Sequence, residues 1–500
     1  MRKYIQFISQ FKLQLLFLSA FLIRLISINQ SLWLDEATTA MTVKNYSFWQ
    51  IIIQFSPTDF HPPLYYLLMD TWTNVFGYSE ISLRMPSVLF SLGTGYVIYH
   101  IAKRSFDSHS FAQDDKSGRK LAIWSAAFFL FNPLIIYYSQ EARMYSMVTF
   151  FVAVSFYYLV KLLNDNSYKN LVLLNTFLIL SFYTFYASVF FIAAVFLYLL
   201  IKKKYKVLSI SSFAFIFSIA IIFPLFSTQY LNSRIALETV QNWSLVLGNV
   251  TLKNILLFPI KFTSGRISFE PKMIYYILSG FWAVLIGIIL GIKSYANSNS
   301  EVKKLLFFLI VPSIFGLIFS FNSPLLQYFR FSYLIVFLSL LLPSSSDMSE
   351  DSFFRTMPWA PLGDGVRKNV VELVKLSNII FLSGFIIWSF VYLLMPQFHR
   401  EDWKSLAKML ESEKAPIYMI ESSSDPLRYY SPDIEVRGLR PLIYVDPSTS
   451  VGMTKKSIIV IPYTADIHGI DYATRLSSSG YANSQTLSVR GITYQVWLKK

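Results

Sequence analysis

Eleven apolar runs set the limits on what this chain can fold into. They fall at 11–29, 81–102, 121–138, 144–160, 171–186, 187–201, 207–226, 273–292, 305–322, 325–342 and 377–395. A bilayer crossing takes about 20 mostly apolar residues, and these runs come close to that length or reach it. Charged residues are 15% of the chain, against about 25% in soluble domains. So few charges do not cover a soluble surface, and the solvent for most of the chain is lipid. The expectation is an α-helical polytopic membrane protein with about 11 transmembrane helices.

Charge orients the helices. With a cytoplasmic N-terminus, the inner segments collect 21 Lys and Arg, the densest being Lys202, Lys203, Lys204 and Lys206. That follows the positive-inside rule. The start has the charged head and apolar core of a signal sequence but no convincing cleavage site, so it reads as an uncleaved first span. An odd number of spans puts the C-terminus outside. Residues 61–77 are the rival twelfth span. Counting them would move the basic loop 103–120 to the outer face, so they read as a Pro-initiated, amphipathic interfacial helix.

Residues 1–395 are thus expected as the transmembrane domain, with a first outer loop at 30–80. Residues 396–500 have ordinary charge, strand-like runs at 416–420, 442–445, 457–461 and 493–498, and a helix-like stretch at 403–413. They read as a small extracytoplasmic soluble α/β domain. The stretch 343–364 is rich in Ser, Asp and Pro and reads as a cytoplasmic connector.

Several chemistries fall away. The net charge of +15 is dispersed, with no basic stripe for nucleic acid. There is no Cys, hence no disulfide or thiol chemistry. No glycine-rich nucleotide loop, His-x-x-His pair or Gly-x-Ser-x-Gly nucleophile appears, so a soluble nucleotide-sugar donor has no support.

Ionisable residues near membrane depth are costly, which makes each a site candidate. Asp35 and Glu36 follow the first span. Neighbours on a helix point in different directions, so one would face substrate while the other orients it, binds a metal or pairs with Arg. The alternative is a solvated helix start whose acids favour the dipole. His61, before Pro62 and Pro63, is placed to meet a phosphate or sugar hydroxyl, or simply to cap a helix. Glu141 and Arg143 sit in a short outer link, either paired together or holding a lipid phosphate. Arg330 is a cation among aromatics with no acidic neighbour in sequence, which favours an anionic ligand; Arg84 gives a weaker version of that argument. Arg24 reads as a structural snorkeller. Asp35, Glu36 and Glu141 are the carboxylates available to a divalent metal; nothing in the sequence decides whether one is used.

The motifs that carry these residues are Leu34-Asp-Glu-Ala37, His61-Pro-Pro-Leu-Tyr-Tyr66, Leu83-Arg-Met-Pro-Ser-Val88, Ser139-Gln-Glu-Ala-Arg-Met-Tyr-Ser146 and Arg330-Phe-Ser-Tyr333. In this order they resemble the bacterial C-type (GT-C) multi-span glycosyltransferases, which include protein O-mannosyltransferases and the lipid A aminoarabinose transferase. The likeness covers about residues 10–345. It implies a polyprenyl-phosphate monosaccharide as donor and Asp35 as the acidic residue needed for transfer, with Glu36 beside it. Arg330, Arg143, Glu141, Arg84, His61 and Tyr145 become the substrate- and phosphate-binding set. Two positions depart from the family pattern: Phe329 stands where an acid is common, and Phe185 where a His is common in the Tyr-Thr-x-Tyr turn.

The function implied is transfer of a hexosyl or pentosyl group to a lipid, glycan or protein hydroxyl at the outer face of the plasma membrane, with inversion. The competing reading is a polytopic lipid or sugar transporter or flippase. That class predicts ionisable residues paired at mid-span, whereas most of the candidates here lie on the outer rim.

Overall fold

A computed structural model describes residues 2–107, 115–296, 299–343, 364–444 and 456–500. The expected connector 343–364 lies almost wholly outside these residues. Helices dominate, and the chain divides into two compact units.

The first unit comprises Met1–Ser27, Arg84–Pro224 and Asn249–Phe398. All eleven expected runs are helical, but they are not equal. Among the described residues, seven helices are long and apolar enough to cross a membrane, or eight if one bent pair counts as a single span. Three of the expected spans are shorter helices, Tyr168–Thr184, Tyr186–Ile201 and Tyr328–Leu341. The expected third span is that bent pair, Gly118–Leu130 and Pro133–Ser139, which meet at 60°. Asn132 makes the bend: its side-chain oxygen accepts from the N–H groups of Leu134 and Ile135, starting a new helix at Pro133. One apolar helical stretch, Trp243–Ser264, was not expected. Gly248, Asn249 and two lysines interrupt its pattern in sequence, and one of those, Lys261, is buried.

Tyr145–Asp165 is the interior helix of this unit, with 72% of its apolar window buried, while Tyr205–Thr239 has only 22%. The outward side chains of the latter include Phe213, Ile216, Phe217 and Ile221, a face suited to hydrocarbon. Arg24 does not snorkel. It is fully buried, donating to the carbonyls of Ala20 and Leu130 and to Ser91 Oγ. Three neutral acceptors make an interior anchor of it.

The second unit comprises Ile28–Leu83, Leu225–Gly248 and His399–Lys500. Its sheet has strands β1 (Ile417–Met419), β2 (Val436–Gly438), β3 (Ser457–Ile461), β4 (Tyr481–Val489) and β5 (Ile492–Lys499), in the order β2-β1-β3-β5-β4. β1 runs parallel to β2 and β3, and the β5 pairings are antiparallel. Alternation along β3 sends Ile459 and Ile461 to one face, where helix Trp403–Leu410 packs, and Ile458 and Val460 to the other, with Leu439, Leu476 and Trp497. The small α/β fold is as expected, with two corrections. The run 442–445 is not a strand: residues up to Tyr444 end the helix Leu439–Tyr444, and 445 lies outside the described residues. Strands β2 and β4 were not anticipated, because β2 is three residues long and most of β4 faces outward, leaving little apolar alternation to read.

Candidate active site

The candidate residues fall into two groups, one in each unit. In the second unit, helix Leu34–Asn45 carries Asp35 and Glu36 in its first turn. Asp35 is half-buried and Glu36 is wholly buried. The divergence expected of helix neighbours is realised. Glu36 turns inward, where Oε2 lies 3.5 Å from the Trp33 N–H and 3.6 Å from the Arg400 guanidinium. It therefore caps its helix and pairs with Arg, one of the roles left open by the sequence.

His61 belongs to the same unit and is half-buried. Its Nδ1 lies 3.4 Å from Asp59 Oδ1, while the Tyr66 hydroxyl donates to Asp59 Oδ2 at 2.8 Å. Gln229 Nε2 donates to the carbonyls of Ser56 and His61, fixing the turn from a distant segment. The two prolines then start helix Leu64–Phe76, the interfacial helix of the sequence reading. Tyr66 points back from its first turn onto Asp59.

In the first unit, the link between helices Pro133–Ser139 and Tyr145–Asp165 is held by its backbone. Ser87 donates to the Glu141 carbonyl at 2.6 Å, and Gln140 Nε2 donates to the carbonyls of Arg24 and Ile26. Glu141, Arg143 and Arg84 are all buried. Arg330 is half-buried, with its guanidinium 5.7 Å from the Phe329 ring centroid. Tyr145 is buried against Tyr138, Phe185 and Phe329. The two positions that depart from the family pattern thus pack on one tyrosine, and an apolar cluster stands where polar groups were in question.

This group holds a cation that the sequence reading missed. Arg266 lies over the Tyr137 ring, 5.0 Å from its centroid. Solvent reaches it, yet the surrounding protein still desolvates its guanidinium. That desolvation opposes the charge; Tyr137, Tyr328, Tyr138 and Glu141 outweigh it and raise the pKa above the ordinary guanidinium range. The side chain sits in a tight turn. Gly265, at φ +75°, ends helix Leu252–Ser264 where a Cβ would lie 2.9 Å from Pro133 Cβ. Lys261 Nζ donates to the Ile267 carbonyl and the Tyr275 hydroxyl, closing the turn from below.

Among the described residues, no group of three or more His, Asp or Glu side chains is placed to hold a metal ion. Asp35, Glu36 and Glu141 do not make such a group. Also missed were Asp59, Arg400 and Asp425, whose Oδ2 accepts from Thr38 Oγ1 at 2.8 Å. Arg400 stood in plain view in the charged run after the last span; the others had no sequence signal beyond their type.

Comparison with known proteins gives a partial family match and a fold likeness. Residues 60–231 match the family model described as dolichyl-phosphate-mannose-protein mannosyltransferase. The match covers about a third of the chain and agrees with the resemblance that the motifs carry. In particular, the fold is similar to that of ArnT from Cupriavidus metallidurans. Its structures bound to undecaprenyl phosphate and in the apo state each align with a TM-score of 0.54 and 11% identity, over 97% of both chains. A search of curated protein sequences finds no match.

Proposed function

We propose that this protein moves a monosaccharide from a polyprenyl-phosphate donor to an acceptor hydroxyl at the extracytoplasmic face of the plasma membrane. The acceptor is a lipid, a glycan or a protein. The reading takes the eleven expected spans with the N-terminus inside and Trp243–Ser264 not crossing, and so places residues 396–500 outside. The observation that carries it is Arg266, a solvent-reached cation stacked on one tyrosine and flanked by two more and Glu141. Such a group suits a lipid phosphate, which needs charge stabilisation at the membrane boundary. ArnT was crystallised with undecaprenyl phosphate, which supports the same donor class here.

A glycosyl phosphate carries its own leaving group, so chemistry demands little general-acid help. Arg266, with Arg143, Arg330 and Arg84 as further cations, would stabilise the phosphate as the anomeric C–O bond breaks. Asp35 would take the proton from the acceptor hydroxyl as its oxygen attacks the anomeric carbon. One displacement inverts that carbon. Glu36, held by Arg400 and its own helix N-terminus, orients the loop and does not touch the reacting atoms. His61, supported by Asp59, would contact a sugar hydroxyl or the phosphate.

The transporter reading is not favoured. Three of the buried cations, Arg24, Lys261 and Lys293, bond carbonyl, hydroxyl and amide oxygens. These are fixed anchors, unlike the carboxylate partners of a proton or ion relay. The test is purified protein in liposomes with a panel of hexosyl and pentosyl polyprenyl phosphates. Acceptor-dependent release of polyprenyl phosphate from at least one donor is expected; passage of intact donor across the bilayer without release would support the transporter.

A further inference from the structure

We propose that Arg400 is a positioning residue for transfer, and that the C-terminal region exists in part to hold the loop carrying Asp35. The inference rests on the reading of Asp35 as the general base. Arg400 is buried, and its guanidinium reaches residues on both sides of Asp35. It lies 3.6 Å from Glu36 Oε2 and 5.8 Å from the centroid of the Trp33 ring. The Arg400 backbone N–H donates to Gln30 Oε1 at 3.2 Å. The surrounding contacts repeat the pattern. Lys404 N–H donates to Ser31 Oγ, the Tyr430 hydroxyl accepts from the Leu32 N–H at 2.8 Å, and Thr38 donates to Asp425. Residues 30, 31, 32, 33, 36 and 38 are each held by the segment 400–430, and Asp35 lies within that span.

The clamp is itself tied to the sheet. Arg490, in the turn between β4 and β5, donates from Nε to the Arg400 carbonyl at 2.9 Å, and the Asp402 N–H donates to the Arg490 carbonyl at 2.9 Å. The electrostatic logic is specific. Burying a carboxylate as fully as Glu36 is costly, and removing Arg400 takes away a cation 3.6 Å from it, one residue from Asp35. Loss of Arg400 should therefore displace the base, and removing the Glu36 charge as well should recover part of the loss. A segment that merely filled space would not couple to Glu36 in this way.

The experiment compares Arg400→Met, Glu36→Gln and the double variant in the full-length protein. Kinetics use the polyprenyl-phosphate sugar that serves as donor, and amide hydrogen exchange is followed over residues 30–38. Arg400→Met should lower kcat about 100-fold, as misplacement of a reacting group does, with the donor KM changed less than about twofold. Exchange over residues 30–38 should accelerate, and the double variant should recover about tenfold in kcat over Arg400→Met. If Arg400→Met does not fold, Arg400→Lys takes its place; it keeps the charge, loses the fit on Trp33, and should show about a tenfold loss. A kcat within threefold of wild type, a loss confined to the donor KM, unchanged exchange, or no recovery in the double variant would each overturn the proposal. Absence of transfer by the wild-type protein would instead sink the proposed function, and the exchange data would still judge the role of Arg400.

Discussion

The group around Arg266 and the group around Asp35 are built in opposite ways. The first is set in the frame of helices by backbone: a Gly turn, a bend made by Asn132, and Ser87 and Gln140 bonded to carbonyls. The second is a first-turn loop held by side chains and amides from a segment more than 350 residues further along the chain. A frame of that first kind suits a ligand that must be held, because rigid cations lose little entropy on binding. A loop held by a separate α/β fold suits a group whose aim must be set. The difference teaches where damage should register: in donor affinity for the first group, in turnover for the second.

The largest effect should separate them at once. Asp35→Asn should lower kcat about 1,000-fold, within the range of a general base, leaving donor binding intact; steady-state kinetics with measured donor affinity check this. Arg266→Met should do the reverse, raising the donor KM about 10- to 100-fold, as loss of a charged hydrogen bond does, with a smaller change in kcat. If Asp35→Asn weakens donor binding or Arg266→Met acts only on kcat, the division fails. A smaller effect tests the frame itself. Ser87→Ala leaves the Glu141 carbonyl without its hydroxyl donor and should cost about 1–3 kcal/mol of stability, read as a lower Tm, with a modest rise in donor KM.

The smallest effect concerns Asp425. Burial raises its pKa, and the hydrogen bond from Thr38 and the charge of Arg428 pull it back in part. A carboxyl that holds its proton more tightly when folded makes stability fall as pH rises from about 4 through its raised value, and level off above it. Asp425→Asn should flatten that slope in a pH series of thermal unfolding. An unchanged slope would remove Asp425 as its cause.

The sequence revealed the groups unevenly, and the reason is physical. Apolar runs mark helices directly, so every expected run is helical. Their lengths were harder to read, because the bend at Asn132 and the short 328–341 helix depend on cap and neighbour contacts. Asp35, Glu36 and His61 stood out because charge near an apolar run is costly. What Glu36 does was not legible, since its partner lies 364 residues later. Arg266 was hidden for a related reason. Its importance comes from three tyrosines far from it in sequence and from a turn that closes through Lys261. The α/β region was legible in the continuous apolar run of β3 and the part-alternating β5, and illegible in outward-facing β4.

The stereochemistry of the product tests the central claim most directly. Purified protein would be given a donor of defined anomeric configuration and an acceptor alcohol, and the first product examined by NMR before any re-equilibration. Single displacement at a sugar carried on polyprenyl phosphate predicts the inverted anomer, with one polyprenyl phosphate released per sugar transferred. A product of retained configuration would contradict the account, because a single displacement with Asp35 activating the acceptor on the face opposite the leaving phosphate can only invert that carbon.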